Sequence, residues 1–186
     1  MKKQLLLSLA LFTPLFYLLY ELFVAGAEDP IDTIYALTGA TALTLLFATM
    51  SLSMLRRAFN LMRYRRTVGL FSFFYALLHL LNFIVFDMEL NLGTALHETV
   101  DKPFIYLGMS AFSILLFMAL TSTRSLFAKY HRYHKGIYLA ITLASVHFVM
   151  AQKALSLTQW GLLALMGVIG VSKLLQHIRV PDTTRS

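Results

Sequence analysis

Three histidines lie within or at the edge of long apolar segments, in a chain that keeps most of its charged residues outside such segments: His79, His134 and His147. An imidazole in hydrocarbon costs free energy unless it has a partner, so each ring requires an explanation. Neutral imidazoles on two separate helices can bind a haem iron from opposite faces. The alternative is a hydrogen bond from each ring to a neighbouring hydroxyl or backbone carbonyl, and spacing alone leaves both interpretations open.

Two of these histidines are candidates for one shared site. His79 lies just past the middle of an apolar segment, and His147 lies near the end of another. If both segments run outward through a membrane, the two rings reach a similar depth. No acidic residue stands beside either histidine in the sequence to hold it as a charged ion pair. Neutral imidazole acting as a ligand is therefore an attractive interpretation.

His134 is expected at the opposite, inner side of the membrane. It precedes His147 by 13 residues, which along one helix is a rise of ~20 Å and leaves the two side chains about 140° apart. A second cofactor could bind at that depth. The matching position on the earlier segment is Arg65 or Arg66, so the sequence does not encode a symmetric second pair of histidines.

The other histidines are weaker candidates. His131 and His177 are also expected at the inner side, where they either replace a missing ligand or lie solvated on the surface. His97 falls in an outer, acidic connection and is assigned no role.

Composition places the chain in a membrane. Of its 186 residues, 58% are hydrophobic and 13% are charged, and the mean hydropathy is +0.69. So much apolar surface exceeds what a water-soluble domain of this size can bury. Cysteine is absent, which excludes disulfides, thiolate metal sites, iron–sulfur clusters and cysteine nucleophiles.

Six apolar segments are long enough to span a bilayer core, which takes about 20 residues. They are 5–24, 35–55, 67–86, 103–121, 134–151 and 157–176. A spanning segment must satisfy its own backbone, and no alternating pattern indicates a barrel, so all are predicted to be helices. The predicted fold is an all-α integral membrane bundle of six helices, a single domain over residues 1–186 with only short connections and no room for a soluble catalytic domain.

Lysine and arginine orient this bundle. With the amino terminus inside, the inner connections and tails collect Lys2, Lys3, Arg56, Arg57, Arg63, Arg65, Arg66, Arg124, Lys129, Arg132, Lys135, Lys173, Arg179 and Arg185. Only Lys102 and Lys153 fall outside, together with most of the acidic residues. The positive-inside rule then places both termini in the cytoplasm. The net charge of +7 is explained by topology, and nucleic acid is not expected as a partner because the basic residues are spread over short juxtamembrane segments.

One processing alternative concerns the amino terminus. A pair of lysines, an apolar run and Ala25-Gly26-Ala27 resemble a signal peptide with its cleavage site, and cleavage would leave five helices. The apolar run is about twice the usual signal length. It also carries Tyr20 and Glu21 near its end, which favours an uncleaved helix.

Four sequence blocks resemble the MsrQ (YedZ) family. They are EDPIDTIYALTGATAL at 28–43, RYRRTVGLFSFFYALLHL at 63–80, DKPFIYLGMSAF at 101–112 and HKGIYLAITLASVHF at 134–148. The resemblance extends over nearly the full chain, and the order and spacing of the histidines make it fairly specific. Members of this family are haem-binding membrane subunits of the periplasmic methionine sulfoxide reductase system, within the ferric-reductase-like transmembrane superfamily.

The resemblance implies a b-type cytochrome of the bacterial inner membrane, surrounded by lipid. Such a subunit relays electrons from the quinone pool or a cytoplasmic flavin donor to MsrP, a periplasmic molybdopterin enzyme that reduces methionine sulfoxide in oxidised proteins. It would be an electron-transfer subunit with no catalytic residues of its own. His79, His134 and His147 match family histidines that are associated with haem, so the resemblance implies that they bind one or two molecules of haem b. Arg65 and Arg66 become candidates for contacts with haem propionates or an inner site.

FMN is also associated with this family, but the sequence shows no recognisable phosphate cradle for it. Two other functions remain open. One is a different haem or quinone cytochrome, such as a ferric reductase. The other is a non-redox scaffold or transporter, in which the histidines only make helix contacts and the protein is colourless. Transporter chemistry has little support, because the spans lack a second buried acid or a pair of broken helices.

Overall fold

The computed structural model describes residues 2–54 and 62–152, together with positions 161, 164, 167, 168, 171 and 172. Within those residues the chain is helical and has no strand. The helices are α1 Lys2–Tyr20, α2 Pro30–Met54, α3 Met62–Asn82, α4 Leu92–Asp101, α5 Pro103–Leu120, α6 Arg124–Tyr130 and α7 Ile137–Ala151. π-Helical turns over Glu21–Ala25 and Phe83–Asp87 extend α1 and α3, and a 3-10 helix over His131–Gly136 joins α6 to α7.

Five of the described helical stretches are long and apolar enough to cross a membrane: Lys2–Ala25, Pro30–Ser53, Arg63–Asp87, Pro103–Leu120 and Ser125–Ala151. They confirm the first five predicted segments, with ends that differ because polar residues continue several helices beyond the apolar run. The sixth predicted segment, 157–176, lies outside the described residues apart from isolated helical positions. The protein is therefore a helical, multi-pass membrane protein.

The segment before α7 is not one continuous helix, which corrects the expected position of His134. The sequence places His134 at the start of the fifth spanning helix, but His131–Gly136 forms a 3-10 helix and α7 begins only at Ile137. Gly136 lowers the helix propensity at this junction. The ideal rotation between His134 and His147 therefore does not apply here.

A further helix, α4, lies within the connection after α3, which the sequence predicted only as one of the short connections. Asn91 caps this helix, because its side chain accepts a hydrogen bond from the backbone N–H of Thr94 at 3.1 Å. Leu92, Leu96 and Val100 follow at four-residue intervals and are exposed. This spacing is typical of a helix face and is visible in the sequence.

The long helices pack in pairs, with α2 along α3 and α5 along α7. A buried apolar cluster then joins α2, α5 and α7, and it consists of Leu43, Leu46, Phe47, Met50, Leu115, Ile137, Ala140, Ile141 and Phe148. Between membrane helices such packing stabilises mainly through close van der Waals contact. The cluster fixes α7, and with it His147, relative to α2 and α5.

Tyr75 links α3 to α1 beside the proline of α1. Its side chain is fully buried, and its hydroxyl donates to the carbonyl of Leu11 (2.8 Å) and accepts from the N–H of Leu15 (3.2 Å). Pro14 has no N–H and disturbs the backbone hydrogen bonds of this turn. The Tyr75 hydroxyl thus satisfies backbone groups that lipid could not.

Charge distinguishes the two ends of the bundle. The basic end is defined by Lys2, Lys3, Arg63, Arg65, Arg66, Lys129, Arg132 and Lys135. The acidic end is defined by Glu28, Asp29, Asp32, Asp87, Glu89, Glu98 and Asp101. At the basic end Arg66 Nε donates to Ser122 Oγ (3.1 Å), and at the acidic end the Tyr35 hydroxyl donates to Asp87 Oδ2 (2.6 Å). The positive-inside rule predicts that the basic end faces the cytoplasm.

Candidate functional site

His79 and His147 come together toward the acidic end of the bundle. His79 lies on α3 and His147 on α7, and their ring centroids are 6.0 Å apart with the ring planes at 89° to each other. Both residues are partly buried. The structure thus brings together the two histidines that the sequence places at similar depth.

A backbone carbonyl orients His147. Its Nδ1 lies 2.6 Å from the carbonyl oxygen of Phe104, in the first turn of α5. The rings of His147 and Phe104 also stack, with centroids 6.2 Å apart. A carbonyl oxygen can only accept, so Nδ1 carries the proton and donates. The neutral ring is then left with an unprotonated Nε2.

A threonine orients His79 in the same way. Its Nδ1 lies 3.3 Å from Thr38 Oγ1, and the Thr38 hydroxyl donates its single proton to the carbonyl of Ile34 at 2.5 Å. Thr38 Oγ1 can therefore only accept from the ring, so Nδ1 of His79 is the protonated nitrogen. Each ring of the pair consequently presents Nε2 as its basic nitrogen.

Tyr35 adds a third aromatic ring at the acidic end. Its ring meets that of His79 edge to face, with centroids 5.2 Å apart and planes at 75°. Its hydroxyl is held by Asp87. This contact restricts rotation of the His79 ring from the acidic side.

The spacing of the pair fits two imidazoles on one metal ion. A bond from an imidazole nitrogen to a transition metal is ~2 Å long and the nitrogen lies about 1 Å from the ring centroid, so opposed ligands have centroids roughly 6 Å apart. The observed separation is 6.0 Å. No group of three or more His, Cys, Asp or Glu side chains that could hold an ion is found in the part of the chain that the structure describes. The pair suits an ion that brings its other ligands with it, as haem iron does.

His134 lies away from this pair, at the basic end, and its hydrogen bonding is reversed. Its Nε2 lies 3.0 Å from Thr121 Oγ1, and the Thr121 hydroxyl donates to the carbonyl of Phe117 at 2.7 Å. Nε2 therefore donates to Thr121, and Nδ1 is the unprotonated nitrogen. Phe127 contacts the ring edge to face, at 4.7 Å between centroids.

A cavity of about 1180 Å³ opens beside His134. Its inner wall is apolar and includes Leu46, Leu70, Phe73, Leu115 and Met118. Its cations are Lys2, Arg63, Arg65 and Arg66, and none of the described residues that line it is acidic. Apolar walls with a few converging polar groups are typical of cofactor sites, and arginines favour a ligand that carries an anionic group.

The remaining histidines are bonded locally where the structure describes them. His131 Nδ1 donates to the carbonyl of Ala128 (3.1 Å), and His97 Nδ1 lies 3.0 Å from Asp101 on the exposed face of α4. His177 lies outside the described residues. The structure gives neither His97 nor His131 a contact with the histidine pair.

Sequence reasoning missed the groups that orient the pair. Thr38 was open to detection, because a hydroxyl residue in an apolar span needs a partner and commonly bonds to a neighbouring helix. The role of the Phe104 carbonyl could not be predicted from the sequence, because every residue has a carbonyl and only the fold shows which one faces the His147 ring.

The sequence is similar to a family of membrane proteins and to relatives that are named as haem-binding subunits. Residues 38–145 match a family described as ferric reductase like transmembrane component. Curated proteins from Brucella ovis, Brucella canis and Brucella suis, each named protein-methionine-sulfoxide reductase heme-binding subunit MsrQ, are 38% identical over 132 residues, which cover 68% of this chain and 60% of each relative. The chain thus spans less than two thirds of the length of these relatives. No solved structure matches the chain. The family match covers more than half of the sequence, and the protein belongs to the ferric-reductase-like transmembrane family that includes these MsrQ subunits.

Proposed function

We propose that this protein is the haem-binding membrane subunit of a methionine sulfoxide reductase system and relays electrons across the bacterial inner membrane. One observation carries the proposal: the ring centroids of His79 and His147 are 6.0 Å apart, and Nδ1 of each ring is hydrogen-bonded to the protein. The MsrQ relatives support the same function. When bound, haem b supplies one-electron iron chemistry.

His79 and His147 would hold the haem iron through Nε2. Thr38 and the Phe104 carbonyl accept hydrogen bonds from Nδ1–H, which fixes the tautomer of each ring. Each Nε2 then becomes a stronger electron-pair donor to the iron. Stronger donation stabilises the oxidised ion more than the reduced ion. These two hydrogen bonds would therefore set the potential at which the subunit releases electrons.

Electrons would enter at the basic end. The cavity beside His134 offers Arg65 and Arg66 to an anionic group and an apolar wall to a planar ring system. FMN has both features, and a quinol would use the apolar wall alone. In this arrangement His134 would contact the second cofactor through Nδ1, because Thr121 holds Nε2. We therefore expect one haem per chain, bound by the histidine pair.

The electron acceptor would bind at the acidic end, which we place in the periplasm. The family resemblance points to MsrP, a molybdopterin methionine sulfoxide reductase. A surface that exposes Asp32, Asp87 and Glu89 suits a basic patch on that partner. Its docking should weaken as the salt concentration rises, because salt screens exposed charges. An affinity that does not change with salt would argue against this docking mode.

The test of the proposed function is a dithionite-reduced minus oxidised absorption spectrum of the purified protein, with haem per chain from the pyridine haemochrome. We expect a low-spin b-type spectrum and one haem per chain. A second haem would assign His134 to iron as well. A colourless protein from haem-replete cells would favour a scaffold or transporter, and copurification with a molybdoenzyme would separate the proposal from a ferric reductase.

A further inference from the structure

Each histidine of the pair lies against a glycine of a neighbouring helix. A Cβ atom built on Gly39 of α2 would lie 2.9 Å from Cε1 and 3.0 Å from Nδ1 of His79. A Cβ atom on Gly108 of α5 would lie 2.9 Å from Cε1, 2.9 Å from Nδ1 and 3.2 Å from Nε2 of His147. Both glycines lie inside helices, so neither is required by a left-handed turn.

These separations are shorter than carbon atoms tolerate. Non-bonded carbons are most stable ~3.5–4.0 Å apart, so a methyl group at either position would push the imidazole away. A ring held at neither nitrogen could rotate aside at little cost. A ring held at Nδ1 by the protein and at Nε2 by iron has no such freedom.

We infer that Gly39 and Gly108 are positioning residues that would allow both imidazoles to hold one iron. This inference rests on the proposed function, because the glycines matter to the rings only if both nitrogens are held. Glycine at these two positions lets each ring lie directly against the neighbouring helix backbone. Space between the rings then remains for the ion.

The two positions should differ in sensitivity. A Cβ atom on Gly108 would lie within 3.2 Å of Cε1, Nδ1 and Nε2 of His147. A Cβ atom on Gly39 would lie within 3.0 Å of Cε1 and Nδ1 of His79, but 3.8 Å from its Nε2. The hydrogen bond that holds His147 is also shorter, at 2.6 Å against 3.3 Å for His79. His147 therefore has less room to move, and Gly108→Ala should have the larger effect.

Gly69 supplies a matched control on α3, the helix of His79. A Cβ atom there would lie 3.7 Å from Thr49 Cγ2 and 3.8 Å from Thr49 Oγ1, which is ordinary contact. Gly69→Ala introduces the same methyl group into a spanning helix without touching either imidazole. Because Gly69 lines the cavity beside His134, the variant is a control for haem at the histidine pair only.

The experiment compares wild type, Gly39→Ala, Gly108→Ala and Gly69→Ala in three readouts: haem per chain, the spin state of the oxidised protein, and carbon monoxide binding after reduction. Iron with two imidazoles has no open position for carbon monoxide. We expect Gly108→Ala to weaken haem binding roughly 10-fold or more, because the methyl group would push His147 off its hydrogen bond to Phe104 and loss of such a bond to a metal ligand has an effect of this size. The oxidised protein should then show a high-spin component, and the reduced protein should bind carbon monoxide. Gly39→Ala should show a smaller change, and Gly69→Ala none.

Chain folding is checked on protein from haem-depleted cells by thermal unfolding and gel filtration. Without haem each ring is held by the protein at Nδ1 alone and can tilt away from an added methyl group, so all three variants should fold like wild type. A Gly108→Ala chain that fails to fold without haem, or variants that fold, bind haem fully and exclude carbon monoxide, would overturn the inference. A colourless wild-type protein would instead overturn the proposed function, so the two failures are distinguishable.

Discussion

The two ends of the bundle hold histidines in opposite ways. At the acidic end, His79 and His147 donate from Nδ1 to the protein, which leaves Nε2 of each ring unprotonated, and their ring centroids are 6.0 Å apart. At the basic end, His134 donates from Nε2 to Thr121 and borders an open cavity of about 1180 Å³. Neutral imidazole can donate at one nitrogen and bind a ligand at the other, so the choice of the bonded nitrogen decides what each ring can do.

The two histidine environments also differ in charge. Cations line the cavity at the basic end, whereas the contacts around the histidine pair come from a hydroxyl, a carbonyl and aromatic rings. Neutral surroundings with two fixed imidazoles suit an electron carrier that stays in place. A cationic rim with apolar walls suits a ligand that arrives with an anionic group.

The largest effect should come from removing either member of the pair. His79→Ala or His147→Ala should abolish haem binding at the acidic end, because the remaining imidazole alone would not hold the iron. The pyridine haemochrome assay measures the loss directly. His97→Ala is the matched control, since His97 lies exposed on α4 beside Asp101. Full haem content in His79→Ala would show that the ligand assignment is wrong.

The next effect concerns the cations of the basic end. Arg65→Gln combined with Arg66→Gln should weaken FMN binding, measured by fluorescence titration, by about 10-fold or more, because hydrogen bonds to charged groups stabilise by ~1.5–3 kcal/mol before solvent screening. The haem spectrum should not change. Lys129→Gln removes an exposed charge at the same end and should leave FMN binding intact. Equal losses in both variants would point to general electrostatics instead of a site.

A smaller effect is expected from His134→Ala. Loss of one neutral hydrogen bond costs about 1 kcal/mol, so FMN affinity should fall only several-fold, and haem per chain should stay at the wild-type value. A loss of one haem per chain from an original two would instead show that His134 binds iron.

The smallest effect tests the Thr38 hydrogen bond. Thr38→Val keeps the shape of the side chain but removes the acceptor of His79 Nδ1–H. Nε2 then donates less electron density, and the oxidised ion loses more stabilisation than the reduced ion. The midpoint potential should therefore rise by at most ~40 mV, the value that applies if the whole ~1 kcal/mol of the bond acts on the oxidised ion. Redox titration measures the shift. Thr142→Val removes a comparable hydroxyl on the exposed face of α7 and should leave the potential unchanged.

Hydropathy and charge predicted most of the helical framework, because spanning segments must be long and apolar whatever their packing. The pairing of His79 with His147 followed from depth along two such segments. The Asn91 cap and the four-residue spacing of Leu92 and Leu96 indicate the α4 helix in the sequence, although its ten residues are too few to span a membrane.

Other features could not be predicted from the sequence. The 3-10 helix at His134 reflects how α6 and α7 join, and Gly136 alone does not specify it. Which nitrogen of each ring is protonated depends on contacts with Thr38, Thr121 and the Phe104 carbonyl. Those contacts are set by the packing of separate helices, which local sequence does not contain.

The central claim is that His79 and His147 would hold one iron; their ring planes lie at 89° to each other in the structure. Perpendicular imidazole planes bring two iron d orbitals close in energy, which increases the anisotropy of a low-spin signal in electron paramagnetic resonance. We expect the oxidised wild-type protein to give one strongly anisotropic low-spin signal that disappears in His79→Ala and in His147→Ala and persists in His97→Ala. A signal that survives unchanged in either pair variant, or a wild-type protein with no low-spin signal, would contradict the claim.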